Sequence, residues 1–368
     1  MSSDDVELLV VASNGFQTID KPDPVAHLAD YRCLAEGLLL IALDGTQVLV
    51  AAPGNDAERM AIRYPGWRAM PTDDVASAFA QYLRAGNFRS ARIAAVGLES
   101  LPHKLAVRLL SSIGDPPLSY DTILYALTPR KTSAEIERAR RATEIAEKGF
   151  TRLLEFAREG MSESAIAVEL NCFTKSLGAD DNFLMLSASH HNSAVMPSGS
   201  RKFEQGDVLL VEFSPSFEGQ FSQICRTVSF GPPRAELQEK YDLVVRAMWA
   251  GIKTVRPGIE VSKVSHAIDK MLQAAGYGKY CRSPYMRRRG HGLGAGSAAP
   301  GDISGENHTI LEEDMLFVVH PNQYIPEVGY LLCGESVRVT ATGCELLGKH
   351  TAKLETIRPD QLGAVQCG

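Results

Sequence analysis

Histidine is the natural place to start, because an imidazole with an unperturbed pKa of about 6.5 can take up and return a proton near neutrality. The chain carries His190 and His191 in tandem within the polar stretch 186–197. It carries His291 inside Gly290-His291-Gly292-Leu293-Gly294, and His320 at the end of an apolar run, followed by Pro321. Glycines around His291 allow the backbone to approach other groups closely. Carboxylates stand at comparable places. Glu212 closes the apolar run 208–211, and Glu335 follows Leu331-Leu332-Cys333-Gly334. A carboxylate at the end of a buried strand needs a partner. Gln223 is a neutral counterpart in a similar strand-like setting, and Tyr285-Met286-Arg287-Arg288-Arg289 runs directly into the Gly-His-Gly segment. Guanidinium forks beside a pocket suit a carboxylate or another anion, or one of them neutralises Glu212 or Glu335 while the others stay solvated.

The elements that must position these residues fall into two groups. Residues 1–127 read as a compact α/β domain. Strands are expected at 6–12, 38–43, 47–52 and 91–98, with hairpin chemistry at Asp44-Gly45-Thr46 and a helix over 103–113. A boundary near Thr128-Pro129-Arg130-Lys131 opens a second domain, 128–368. Its entry is a capping box, Thr132-Ser133-Ala134-Glu135, that predicts a long helix to about 158. Two helix–turn–helix units follow about a hundred residues apart, around Gly160-Met161-Ser162 and Pro257-Gly258-Ile259, as a faint internal repeat.

Composition narrows the classes. The chain has 368 residues, 45% hydrophobic and 22% charged, which is globular material long enough for two domains. A net charge of −6 argues against nucleic acid or a membrane surface as partner. No segment reaches the roughly 18 apolar residues needed to span a bilayer. The acidic N-terminus is not a secretory signal. The seven cysteines are scattered, without a CxxC pair, which points to reduced thiols and a cytoplasmic location. Nothing in the sequence places a partner beside any of them for nucleophilic work.

Two stretches carry a family resemblance: Val211-Glu212-Phe213-Ser214-Pro215 through Gly219 to Gln223-Ile224-Cys225-Arg226-Thr227, and Arg289-Gly290-His291-Gly292-Leu293-Gly294. They resemble the pita-bread (M24-type) family, which includes methionine aminopeptidase, aminopeptidase P, prolidase and creatinase. The resemblance implies an α/β N-terminal domain and an α+β pita-bread C-terminal domain with an internal pseudo-twofold, assembled as a homodimer. In metal-dependent members, aspartates stand at the positions of Glu212 and Gln223, a histidine at His291, and glutamates at His320 and Gly334. The last position rests on counting back from Thr340 and Gly343, and a one-residue slip would move it to Glu335. His291 alone is kept, and Gln223 lacks the charge a hard divalent ion prefers.

The resemblance therefore implies a divergent, creatinase-like member. Its expected activity is metal-independent hydrolysis of a C–N bond in a small, polar, carboxylate-bearing molecule, with no metal or other cofactor. His190 or His191, His291 and His320 would move protons, with Glu212 as the catalytic carboxylate. Gln223, Glu335, Tyr285, Arg288 and Arg289 would hold the substrate. The loop Ala188-Ser189-His190-His191-Asn192-Ser193-Ala194 overlays a family segment whose own histidine falls at Val195 here. Three alternatives stay open: a lyase on the same groups, a mononuclear metal enzyme using Glu212, His291 and His320, and a non-catalytic peptide- or ligand-binding member.

Overall fold

The computed structural model describes residues 1–358 except 87, 89, 296 and 297. The chain divides into two compact units, one built mainly of Met1–Thr128 and the other beginning at Pro129.

In the first unit, strands β1 (Leu8–Ser13), β2 (Gly37–Ala42), β3 (Gln47–Ala51), β4 (Arg68–Pro71), β5 (Ile93–Val96) and β6 (Leu118–Ser119) form one sheet in the order β4-β3-β2-β1-β5-β6. Helices α1 (Pro24–Ala29), α2 (Gly54–Arg63), α3 (Val75–Ala85), α4 (His103–Leu110) and α5 (Asp121–Leu127) accompany it. The β2–β3 turn closes at Asp44-Gly45-Thr46, where the Thr46 amide donates to Asp44 Oδ1 at 2.9 Å. Alternate strand residues feed two cores on opposite faces: Leu8, Val10 and Leu40 on one, Val11, Leu39 and Leu49 on the other. Such near-continuous apolar strands show why the strand runs are legible in the sequence. Strands β4 and β6 and helices α1, α2, α3 and α5 lie outside the elements expected from the sequence.

The second unit begins with α6 (Ser133–Phe156), whose capping box is present: the Glu135 amide donates to Thr132 Oγ1, and the Thr132 amide donates to the Glu135 carboxylate at 2.9 Å. Helix α7 (Glu163–Ser176), capped by Ser162, completes the first pair. Both pack against a sheet of β7 (Asp181–Ser189), β8 (Val208–Phe217), β9 (Gln220–Phe221) and β10 (Ile224–Phe230). The second half repeats this plan. Helices α8 (Ala235–Ile252) and α9 (Val261–Ala274) precede β11 (Gly290–Gly292), β12 (Leu316–Val319), β13 (Gln323–Ile325), β14 (Gly329–Leu331), β15 (Glu335–Val339) and β16 (Cys344–Leu346); β17 (Glu355–Ile357) returns to the edge of β10. Each half buries its own core, around Phe150, Leu170 and Phe213 in the first and around Val244, Ile268 and Phe317 in the second. The expected class, an α/β domain followed by a pita-bread domain, is the fold observed.

A seam joins the halves, and backbone-like bonds hold it. The Cys225 and Gly334 main chains exchange both hydrogen bonds, at 3.2 and 3.0 Å. Thr227 extends the pairing through its hydroxyl, which donates to Leu332 O at 2.9 Å and accepts from the Leu332 amide at 2.8 Å. Ser336 Oγ donates to Gln223 O at 2.8 Å and accepts from the Gln223 amide at 3.0 Å. The Arg226-Thr227 pair thus has a structural job: it closes the join between two sheets.

Candidate functional site

Strand alternation decides which side chains meet at the seam. On β8, Leu209, Val211 and Phe213 pack toward α6 and α7, so Glu212 points to the second half. Glu212 is paired in register with Cys225 of β10 and shares its face. In the second half, Phe317 and Val319 pack toward α8 and α9. The opposite face carries His291, which is registered against Val318. His320 follows on that face, and the two imidazole centroids lie 5.3 Å apart, tilted by 66°. The candidate site is therefore the place where the face bearing Glu212 and Cys225 meets the face bearing His291 and His320.

Two glycines make this convergence possible. Gly290 has φ +149°, and a Cβ there would run into the Val318 carbonyl, so β11 lies against β12 only with glycine at this point. At Gly334, a Cβ would sit 2.7 Å from His320 Cβ and 3.1 Å from both Cβ and Sγ of Cys225. Gly334 thus lies beside His320, and Glu335 faces the other way. There it is buried against Arg226, with Nη2 to Oε1 3.1 Å apart, and Oε1 also accepts from the Ala352 amide at 2.7 Å. Gly334, which has no side chain, is thus on the side of the candidate site, and the Glu335 carboxylate is on the opposite side.

Burial sets the charge states. His320 is 6% exposed; desolvation, then the charges of His291, Arg288 and Arg289, hold its pKa well below the usual imidazole value, so it is neutral at pH 7. Its Nδ1 has no hydrogen-bond partner among the described residues. Gln223 is fully buried; its Nε2 lies 3.7 Å from Cys225 Sγ, and its Oε1 is likewise unpartnered. His291 Nδ1 donates to Gly292 O at 3.0 Å. Burial and the Glu212 charge push the Cys225 thiol well up, which keeps it protonated. The same two causes raise Tyr330 to about 12.

The other sequence-selected residues are dispersed. His190 is exposed and lies 3.5 Å from Asp207, which is held bidentately by Arg201. The His191 ring contacts Tyr324 edge-on at 6.0 Å, and its Nε2 bonds Pro326 O. Arg289 is fully buried, paired with Asp269 at 2.6 Å and bonded to the Pro321 carbonyl. Arg288 pairs with Asp302 at 2.7 Å. Tyr285 stacks on Tyr324. Cys225 and Tyr330 are the pocket residues that sequence reasoning did not select. The cross-strand positions opposite Glu212 and within the second hairpin were the signal available.

Similarity to known proteins fits this geometry. The model of metallopeptidase family M24 matches residues 137–342. The chain belongs to that family. Among M24 relatives it is 33% identical to the uncharacterized peptidase YqhT of Bacillus subtilis over 217 residues, 58% of this chain and 60% of that protein. It is 27% identical to an uncharacterized peptidase of Staphylococcus aureus (strain MW2) over 314 residues, 84% of this chain and 86% of that one. The fold is shared with a prolidase from Pyrococcus furiosus (TM-score 0.81, 20% identity, 95% and 98% of the two chains). It is shared equally with an Xaa-Pro dipeptidase from Bacillus anthracis (TM-score 0.82, 21% identity, 96% of each chain).

These relationships overturn one expectation. A creatinase-like, metal-independent hydrolase of a small C–N compound is not what the relatives indicate; membership lies with hydrolases of a metallopeptidase family, and the named relatives are peptidases. The ligand exchanges at Gln223 and Gly334 do not remove the chain from that family, whose model spans residues 137–342. The mononuclear alternative also meets a structural obstacle. Among the described residues no group of three or more His, Cys, Asp or Glu side chains is arranged to hold a metal ion. Gln223 and Gly334 bring no charge, and Glu335 is committed to Arg226 on the far side. The family's metal therefore does not fit this arrangement of donors. No helix among the described residues is long and apolar enough to cross a membrane.

Proposed function

We propose that this chain binds short peptides where Glu212, Gln223, His291 and His320 meet, and hydrolyses them there. One observation carries the reading: Glu212, Gln223, His291 and His320 gather on the facing sides of the two sheets, inside the segment matched by the model of metallopeptidase family M24. A buried amide and a buried neutral imidazole at this place offer polar atoms for a ligand to meet. A peptide link supplies a donor and an acceptor side by side. The relatives named as peptidases support the same ligand class.

The residues divide the work of holding such a ligand. Glu212 supplies negative charge to draw in the ammonium of a peptide N-terminus. The Gln223 amide and the neutral His320 imidazole hold the peptide link without adding charge. His291, oriented through Gly292 O, stands next to His320 to take or return a proton. The reading extends to a cytoplasmic homodimer, supported by scattered thiols and by the family resemblance.

The test is amino-acid release from a panel of di- and tripeptides, measured by mass spectrometry with chelator or with added Mn²⁺, Co²⁺ or Zn²⁺. Release is expected in at least one condition, and Glu212→Gln should abolish it. Saturable binding without release in any condition would overturn hydrolysis. Absence of binding would overturn the peptide reading itself.

A further inference from the structure

Beside the site, Tyr280, Tyr285 and Tyr324, drawn from two segments of the second unit, form a row in ring contact, and Tyr330 stands across the hairpin from Tyr324. Tyr324 and Tyr330 are direct cross-strand partners on the β13–β14 hairpin, which places their side chains on one face. Tyr324 stacks on Tyr285 with centroids 5.7 Å apart and planes 22° from parallel. Tyr280 closes the group, 4.8 Å from Tyr285 in a T-shaped contact and 5.6 Å from Tyr324. The His191 ring flanks Tyr324. All four tyrosines are half-buried, so each keeps surface for a further contact.

The row is tied to the site at one end. Tyr324 lies four residues beyond His320, on a segment that Arg289 holds by donating to Pro321 O and to Gln323 Oε1, the latter at 3.1 Å. Tyr330 senses the Glu212 charge, and its backbone amide donates to Asn192 O at 2.7 Å. The segment that carries Tyr280 and Tyr285 is also rich in basic side chains. Lys279, Arg282 and Arg287 are exposed, and Lys279 Nζ lies over the Tyr280 ring. Arg287 makes a 3.6 Å contact with Asp302, which Arg288 already holds at 2.7 Å.

We propose that this row is a subsite for the aromatic side chain of a bound peptide, with Arg282 and Arg287 receiving a carboxylate of the same peptide. The inference rests on the peptide reading above and adds the class of peptide. An aromatic ring gains edge-to-face or offset contacts along phenol rings beyond what its buried area supplies. The negative Glu212 and the positive arginines together give the ligand a direction, ammonium toward Glu212 and carboxylate toward the arginines. A cationic side chain is disfavoured by the same arginines. The carboxylate has two sources, the peptide's C-terminus or an acidic side chain, which share one chemistry.

The test is calorimetric binding of Ala-Ala-Phe, Ala-Ala-Ala, Ala-Ala-Lys and Ala-Ala-Phe amide to the full chain and its variants. Ala-Ala-Phe is expected to bind roughly fivefold more tightly than Ala-Ala-Ala, the scale of an aromatic contact of about 1 kcal/mol. Tyr285→Leu and Tyr324→Leu should remove that preference, whereas Tyr285→Phe should retain it. Arg287→Gln should weaken the free acid and leave the amide unchanged. If the amide binds as well as the acid, Ala-Phe-Asp against Ala-Phe-Asn identifies an acidic side chain as the source, and equal binding of all four overturns the carboxylate half. Tripeptides bound or cleaved with no aromatic preference, in folded Leu variants of unchanged affinity, would overturn the subsite and leave the peptide reading standing. No binding of any tripeptide would overturn both.

Discussion

The two faces of the seam between the sheets differ in how completely their polar groups are satisfied. Residues 225 and 226 are neighbours, as are 334 and 335, and strand alternation sends one of each pair to either side. Behind the seam, Arg226 donates to Cys225 O, Gly334 O and His350 O and pairs with Glu335, which also takes the Ala352 amide. Charge there is buried and matched. In front, Cys225 and Gly334 face Gln223 and His320, which are neutral and keep polar atoms unpaired. The difference teaches that the same backbone join serves two purposes. One side holds the halves together, and the other leaves hydrogen-bonding capacity for a ligand.

Removing the closed side should cost most. Arg226→Ala strands Glu335 and the carbonyls at the join, and a loss of about 3–5 kcal/mol is expected in denaturant unfolding. A loss below about 1 kcal/mol would show that the rear ion pair does not secure the seam.

Next comes the point where the faces touch. Gly334→Ala puts a methyl 2.7 Å from His320 Cβ, so the strands must separate. A cost of about 1–3 kcal/mol is expected, together with weakened peptide binding. Unchanged affinity at reduced stability would separate Gly334 from the pocket.

A pH series probes the open side. His320 is held neutral in the fold, with a pKa below that of the unfolded chain. The unfolded state therefore binds the extra proton first. The stability from this residue is fully present above about pH 6.5 and is lost as pH falls below it. From pH 7 to pH 5 the expected loss is about 2 kcal/mol, and His320→Gln should flatten that part of the curve. Equal slopes for both proteins would contradict a buried neutral His320.

The smallest effect on the fold is expected from Gln223→Leu. It removes an unpaired acceptor while the backbone bonds to Ser336 remain, so stability should change by less than about 1 kcal/mol. Peptide affinity should nevertheless fall. A large destabilisation would place Gln223 with the structural face after all.

Much of this was legible residue by residue. The Thr132–Glu135 box marks the start of α6, and Arg226-Thr227 and the Gly-frame of His291 fix the positions that matter, because caps, turns and close approaches are local requirements on particular residue types. The tandem His190-His191 was harder to place. Nothing local says that one ring meets Asp207 and the other Tyr324. The activity was misjudged for a related reason: individual ligand positions describe what a pocket has lost, whereas the family match describes what the whole fold retains.

The sequence by itself determined the two-part architecture, the identity of the polar groups in the pocket and the absence of charge at 223 and 334. Those follow from composition, periodicity and side-chain chemistry. Only the tertiary structure decided that Glu335 turns to Arg226, that Arg289 is spent inside, that Gly334 lets His320 approach Cys225, and that Tyr324 meets Tyr280 and Tyr285 from a distant segment. Each depends on which face of a strand a residue occupies once two sheets are registered against each other. A shift of one residue in that register reverses every such assignment.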